Sequence, residues 1–262
     1  MTYTKLAGSI VGITTLATLV PATVLGQGRG IGTPNDEGDS GPFVTIQVDG
    51  VSYDGPKLIQ GKDETGKEVW EIEDFTLRRD GFFITISGQL NPDPSIAYGL
   101  AVTDFGAPSD FLFVFGVPIV PTGSPNTVDA SVVGGVTDLT GNGASVTPTL
   151  GSALQVAEVG NPLTSMGVDV GPAADFAPGP PGSFHVYGPF ASGPAFGPGP
   201  GPWTFLQAST GFTLSGGGDV LALTGFAQIV EVPVVPEVGT MAAGAILSLG
   251  GATWVMRRRS RA

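Results

Sequence analysis

FFITISGQL, residues 82–90, sets Phe82, Ile84 and Ile86 against Phe83, Thr85 and Ser87. Side chains alternate between the two faces of an extended strand, so a period of two marks a strand with one face turned to a core. Just upstream, EVWEIEDFTL (68–77) repeats the signal, with Trp70 and Ile72 on one side and Glu71 and Glu73 on the other. FVTIQV (43–48) alternates as well. Further out, the candidates are SIAYGLAVTD (95–104), FLFVFG (111–116), TVDASVVGGV (127–136), GSALQVAEV (151–159), WTFLQASTGFTLS (203–215) and DVLALTGFAQIV (219–230). The turn clusters NPDP, GAPSD, PTGSPN, LTGNGAS and SGGGD separate them. Regular short strands with such punctuation predict an all-β antiparallel sandwich, jelly-roll-like, over residues 43–232.

Composition agrees. Gly 42 and Pro 23 make up about a quarter of the 262 residues, which disfavours long helices, while 41% hydrophobic residues supply a core. The formal net charge is −12. Setting aside Lys5, Glu237 and the four C-terminal arginines leaves 22 acidic and 6 basic residues, a net of −16, and no Lys or Arg occurs between Arg79 and Arg257. Such a surface cannot neutralise phosphates, so nucleic acid is excluded as a partner. Cysteine is absent, which rules out thiol chemistry and disulfides. The single histidine, His185, has no triad or metal partners nearby in sequence and reads as a loop residue, so no cofactor or metal site is expected.

GPAADFAPGPPGSFHVYGPFASGPAFGPGPGP (171–202) holds nine prolines and eight glycines in 32 residues and is expected to be a long loop without a continuous ladder. Its Phe176, Phe184, Tyr187, Phe190 and Phe196 either pin it to the sandwich or form a binding surface. QGRGIGTPNDEGDSGP (27–42) reads as a flexible linker.

The two ends carry a different signal. Residues 1–26 place Lys5 before a charge-free apolar run and small residues, the order of a signal peptide, with cleavage expected after Gly26 or after Ala22. That predicts export through the Sec translocon and removal by signal peptidase. Val238 to Met256 is a charge-free run of 19 residues, which at about 1.5 Å per residue nearly spans the roughly 30 Å hydrocarbon core. A C-terminal single transmembrane helix is therefore expected over 238–256. Arg257, Arg258, Arg259 and Arg261 follow it and hold that end in the cytoplasm. Thr240, Gly244, Ser248 and Ala252 recur every four residues, a small-residue stripe fit for close helix packing or simply the mark of a weakly hydrophobic anchor.

Val235, Pro236 and Glu237, followed by an apolar helix and terminal arginines, resemble the PEP-CTERM sorting signal of exported bacterial proteins. The usual second proline is replaced here by Val238. The resemblance, which covers residues 233–262, implies a membrane-embedded exosortase-type protease as partner, processing near Pro236, with the protein anchored in the inner membrane in transit and then held at the cell surface or in the extracellular matrix. Pro233 and Pro236 favour extended backbone, a form a protease binds, and Glu237 sits where the positive end of a helix dipole favours a carboxylate. ISGQLNPDPSIAYGLAVTDFGAPSDFLFVFGVPIVPTGSP (86–125) resembles the ectodomains of other such proteins, a group with no activity to carry over.

Three functions compete for the exported body. A structural or interaction role, without catalysis, accounts for every strong signal. A carbohydrate-binding sandwich, with extracellular polysaccharide as partner, would use exposed Trp or Tyr platforms, whereas Trp70 and Trp203 sit in strand patterns where burial is expected, or calcium at Asp138 and Asn142 of DLTGNG, which a tight turn explains equally well. A hydrolase would use Glu71 and Glu73, which solvent-facing alternation predicts in any case.

Overall fold

The computed structural model describes residues 41–120, 126–160, 166–196 and 203–231. The signal peptide 1–26, all but the last two residues of the linker 27–42, the sorting motif and the helix 238–256 lie outside them. Among the described residues no helix is long and apolar enough to cross a membrane.

Among the described residues the fold is all-β, with fifteen strands that pair antiparallel. An eight-stranded sheet holds β1 (Phe43–Val48), β2 (Val51–Tyr53), β7 (Ser109–Pro118), β9 (Ala144–Pro148), β10 (Gln155–Gly160), β11 (Met166–Val170), β12 (Ala174–Phe176) and β14 (Phe205–Leu214). A seven-stranded sheet holds β3 (Leu58–Lys62), β4 (Glu68–Arg78), β5 (Phe82–Asn91), β6 (Ser95–Asp104), β8 (Asn126–Asp138), β13 (Ser183–Phe196) and β15 (Asp219–Glu231), in the order β13-β8-β15-β6-β5-β4-β3. The strands expected from alternation all form, with their ends shifted by a few residues. In β4 the alternation changes phase at a bulge between Ile72 and Phe75, so Ile72 and Leu77, of opposite parity, both face the core.

The inner faces of the two sheets share one apolar core. Tyr98 of β6 stacks on Phe115 of β7 with centroids 4.3 Å apart, and Phe82 of β5 meets Phe111 of β7 edge-on at 6.0 Å. Each such fully buried side chain contributes about 1.5–3 kcal/mol. One polar node crosses this core. The Tyr98 hydroxyl donates to Oε1 of Gln155 at 2.7 Å and bonds the Thr210 hydroxyl, while Nε2 of Gln155 donates to the carbonyl of Phe226 at 3.0 Å. Burial pushes the Tyr98 phenol far above its ordinary range, so it stays a neutral donor. Gly225 makes room for the ring, since a Cβ there would lie 2.1 Å from it.

Two expectations are corrected. The winding is not that of a jelly roll: β3 to β6 run as a meander inside one sheet, because their short turns leave no length to cross to the other. The segment 171–202 is not one long loop: it contains β12 and the fourteen-residue β13, which pairs with β8 from Ser183↔Asp138 to Phe196↔Thr127. Proline is tolerated in sheets at edges and bulges, and β13 offers both. It is an edge strand, and its Gly188-Pro189 and Gly193-Pro194 pairs fall at the two register shifts. Gly188 (φ 91°) and Gly193 (φ 110°) take the left-handed backbone these bulges require.

Candidate functional site

The strand ends define two faces of the body. At one end β1 begins with Phe43 opposite Gly116 of β7, and β15 finishes with Glu231 opposite Asn126 of β8. Ile119 and Val120, which follow β7, are held at this end, the Ile119 amide bonding the Thr204 carbonyl and the Val120 amide that of Pro92. The body is thus entered and left at one end. Val235, Pro236, Glu237, the stripe Thr240, Gly244, Ser248 and Ala252, and the arginines Arg257, Arg258, Arg259 and Arg261 follow in sequence and lie outside the described residues.

The opposite end carries the Gly-rich loops and three buried aspartates. Asp104 ends β6, Asp219 opens β15 directly opposite it, and Asp138 ends β8 just beyond the Val220↔Thr137 pair. All three side chains are fully buried. The carboxylates of Asp104 and Asp138 grip the loops through backbone amides. Asp104 accepts from Gly106 (3.2 Å) and Ser109 (3.0 Å), and Asp138 from Thr140 (3.2 Å), Gly141 (2.6 Å) and Gly143 (2.7 Å). Asp219 accepts from the Ser215 hydroxyl at 2.5 Å through Oδ2, and its Oδ1 is buried without a partner. The loops also interlock directly: Gly217 N donates to Gly106 O (2.9 Å) and Gly218 N to Asp104 O (2.6 Å). A Cβ on Gly216, at φ 78°, would lie 2.5 Å from Gly106 O, so this approach needs glycine.

Electrostatics separates the three. Burial drives Asp104 and Asp219 above the ordinary carboxylate range, and Asp219 is raised further by Asp138 and Asp104. Burial also acts against ionised Asp138, but the amides of Gly143, Gly141, Thr140 and Asn142 outweigh it and hold that carboxyl below the usual value. Asp138 is therefore the cap of a tight turn. Asn142 belongs to the same turn, its Oδ1 accepting from the Thr140 hydroxyl at 2.5 Å. Among the described residues no group of three His, Asp or Glu side chains is arranged to hold a metal ion.

The other candidates fall apart in space. Glu71 pairs with Gln89 across the β4–β5 ladder, and both it and Glu73 are exposed on β4, as solvent-facing positions of a strand. Trp70 packs against the core and Trp203 is buried, so neither is a platform. His185 sits in β13 rather than a loop, stacked on Phe176 at 4.7 Å. A shallow depression of about 420 Å³ on the outer face of the seven-stranded sheet, at the β4 bulge, holds one titratable group, Asp74, among Thr76, Thr85, Ser87 and Gly99.

Sequence reasoning missed two features. Asp104 shares the parity of Ile96, Tyr98, Leu100 and Val102, and Asp219 that of Leu221 and Leu223, so alternation alone places both carboxylates on the buried face. Phe184 lies across Gly135, where a Cβ would meet its ring at 2.3 Å, and 64% of the residue is exposed. That ring gives the outer face an apolar surface beside Val186 and Val133. No protein-family model matches the chain, and no curated protein matches it.

Proposed function

We propose that the chain is an exported cell-envelope or extracellular-matrix protein with a structural or interaction role and no catalytic activity of its own, sorted by a C-terminal signal that an exosortase-type protease processes. The observation that carries this reading is the order of chemistry in residues 233–262: Val235-Pro236-Glu237, nineteen uncharged residues, then Arg257, Arg258, Arg259 and Arg261. An apolar segment of that length is driven into hydrocarbon, and the arginines stay on the cytoplasmic side. The geometry of the body is compatible, since its first and last strands meet the rest of the chain at one end. The Asp-capped loops then lie at the end away from the anchor. The N-terminal apolar run after Lys5 supplies the export step.

Intact-mass analysis of the protein from its native cell, with and without the protease, tests the reading. Loss of the first 20-odd residues and of the tail near Pro236 is the expected result. A reporter fused just before Pro233 that resides in the cytosol overturns it.

A second reading, a carbohydrate-binding module, is favoured by the largely exposed Phe184 ring, whose Cε2 and Cζ lie against Gly135. Sugar C–H groups pack on such a ring. Glycan-array binding lost in Phe184→Ala supports it, and an array without signal removes it.

A further inference from the structure

We propose that the loop end of the sandwich is a proton-operated clasp: protonated Asp219 lets the β6–β7, β8–β9 and β14–β15 loops close on one another, and its ionisation forces them apart. The argument starts from Oδ1 of Asp219, an oxygen in a fully buried residue with no hydrogen-bond partner. A buried ionised carboxylate in that condition costs several kcal/mol, and a proton removes the cost. The groups facing it make ionisation worse. From β6 comes Asp104, from β8 Asp138, and Asp49 of the β1–β2 turn acts in turn on Asp104. Asp110 of β7 is engaged elsewhere, its amide donating to Asp49 at 2.8 Å and its carboxylate accepting from the Thr213 hydroxyl. His185 of β13 is stacked on Phe176.

Among the described residues no Lys or Arg forms an ion pair with Asp104, Asp138 or Asp219. No Lys or Arg lies between Arg79 and Arg257, so β6, β7, β8, β13, β14 and β15 carry none. Arg79, on the β4–β5 hairpin, lies over the Tyr53 ring at 5.5 Å. With Asp138 held ionised by its own turn, Asp219 ionisation puts a second unneutralised charge on the neighbouring strand, both residues lying just beyond the Val220↔Thr137 pair. The loops that would part are those the Gly217 and Gly218 amides now fasten to the carbonyls of Gly106 and Asp104, and the Ser145 amide to the Ser215 hydroxyl.

The direction with pH follows. Asp104 and Asp219 have folded-state pKa values above the unfolded carboxylate value of about 3.9. Their support for the closed end is complete below that value and is lost as pH rises through the raised one. Asp138 acts oppositely, giving up its support only as pH falls through its own lowered value. The clasp is therefore tightest in mild acid and loosens towards neutral and alkaline pH.

Amide hydrogen exchange on the full-length chain in detergent, corrected for the intrinsic chemical rate, tests this. Protection of the Gly217, Gly218 and Ser145 amides, which join the loops, should fall as pH rises from about 4.5 to about 8, by up to about tenfold per pH unit for each proton released. Asp219→Asn, which cannot ionise, should keep protection high and flat. A flat or rising wild-type profile overturns the proposal, whether or not the variant folds, and so does a variant with the wild-type slope. If Asp219→Asn does not fold, Asp104→Asn serves as the second variant, with a shallower slope expected.

Discussion

The two edges of the seven-stranded sheet, β3 and β13, face the same hazard and meet it with different chemistry. An edge strand exposes unpaired N–H and C=O groups that can template pairing with another chain. β3 lies in a charge-dense stretch: Lys57 precedes it, Lys62 ends it, and the hairpin to β4 adds Asp63, Glu64, Lys67 and Glu68. That turn is built by Asp63, whose carboxylate bonds the Thr65 hydroxyl and the amides of Lys67 and Thr65, which hold it below its ordinary pKa. β13 carries no Lys, Arg, Asp or Glu. It uses Pro189 and Pro194, which have no amide to offer, and two bulges that break its line. One edge is guarded by solvated charge, the other by backbone geometry, so the two should respond very differently to the same substitution.

The largest difference is expected for glycine to valine. At Gly193 a Cβ would lie 2.6 Å from the Val128 carbonyl oxygen, and φ is 110°. Both the contact and the backbone oppose a branched side chain, so Gly193→Val should cost about 3 kcal/mol. At Gly61 of β3 the nearest atom to a new Cβ is the Val69 Cγ1 at 3.8 Å, ordinary contact. Gly61→Val should stay within about 0.5 kcal/mol of the parent or gain slightly, because branched side chains suit strands. Urea midpoints of the two variants measure the contrast. Equal shifts would mean that β13 is not held by its bulges.

The same contrast explains what the sequence disclosed. Around β5 and β6 every cue agrees: alternation, β-branched residues and turn clusters at both ends all point to strands, and those strands formed. In β13 the cues conflict, because Gly-Pro pairs are loop signals when counted by composition and strand-edge signals when read by position. The clue was spacing: the Gly-Pro pairs recur five residues apart between aromatic residues, which fits two bulges in one ladder. β2, β9, β11 and β12, at three to five residues, are too short to show a period, and tertiary pairing decides them. The buried aspartates were legible from parity, as the last or first member of an inward-facing row. That no Lys or Arg among the described residues pairs with them became visible only once the loops were seen to meet, since sequence position says nothing about which turns share an end.

A middle-sized effect comes from Tyr187, the inward anchor of β13. It is 1% exposed, lies edge-on to Phe190 at 5.0 Å and donates to the Pro172 carbonyl at 2.7 Å. Burial pushes its phenol up to about 12, so it remains a donor throughout the neutral range. Tyr187→Phe keeps the ring and leaves that carbonyl without its partner, at a cost of about 1 kcal/mol. The urea midpoint measures it. Replacing both Pro189 and Pro194 with Ala should change stability less and association more, because it returns two amides to an edge. Light scattering at rising protein concentration should show self-association that the parent lacks.

The smallest effect is expected on the charged edge. Lys67 pairs with Asp93, and its ammonium is held protonated first by that hydrogen bond and then by the charge behind it. Yet the two side chains are 59% and 54% exposed, so water and salt screen the attraction and ordering two mobile side chains offsets what remains. Lys67→Ala should leave the urea midpoint where it was, in low and in high salt alike. What it should alter is association, making it more frequent in high salt, where the neighbouring Lys57, Lys62 and Glu68 are screened as well. A clear loss of stability in Lys67→Ala would show that the charges of this hairpin hold the fold itself, and the division between an edge kept by charge and an edge kept by geometry would then fail.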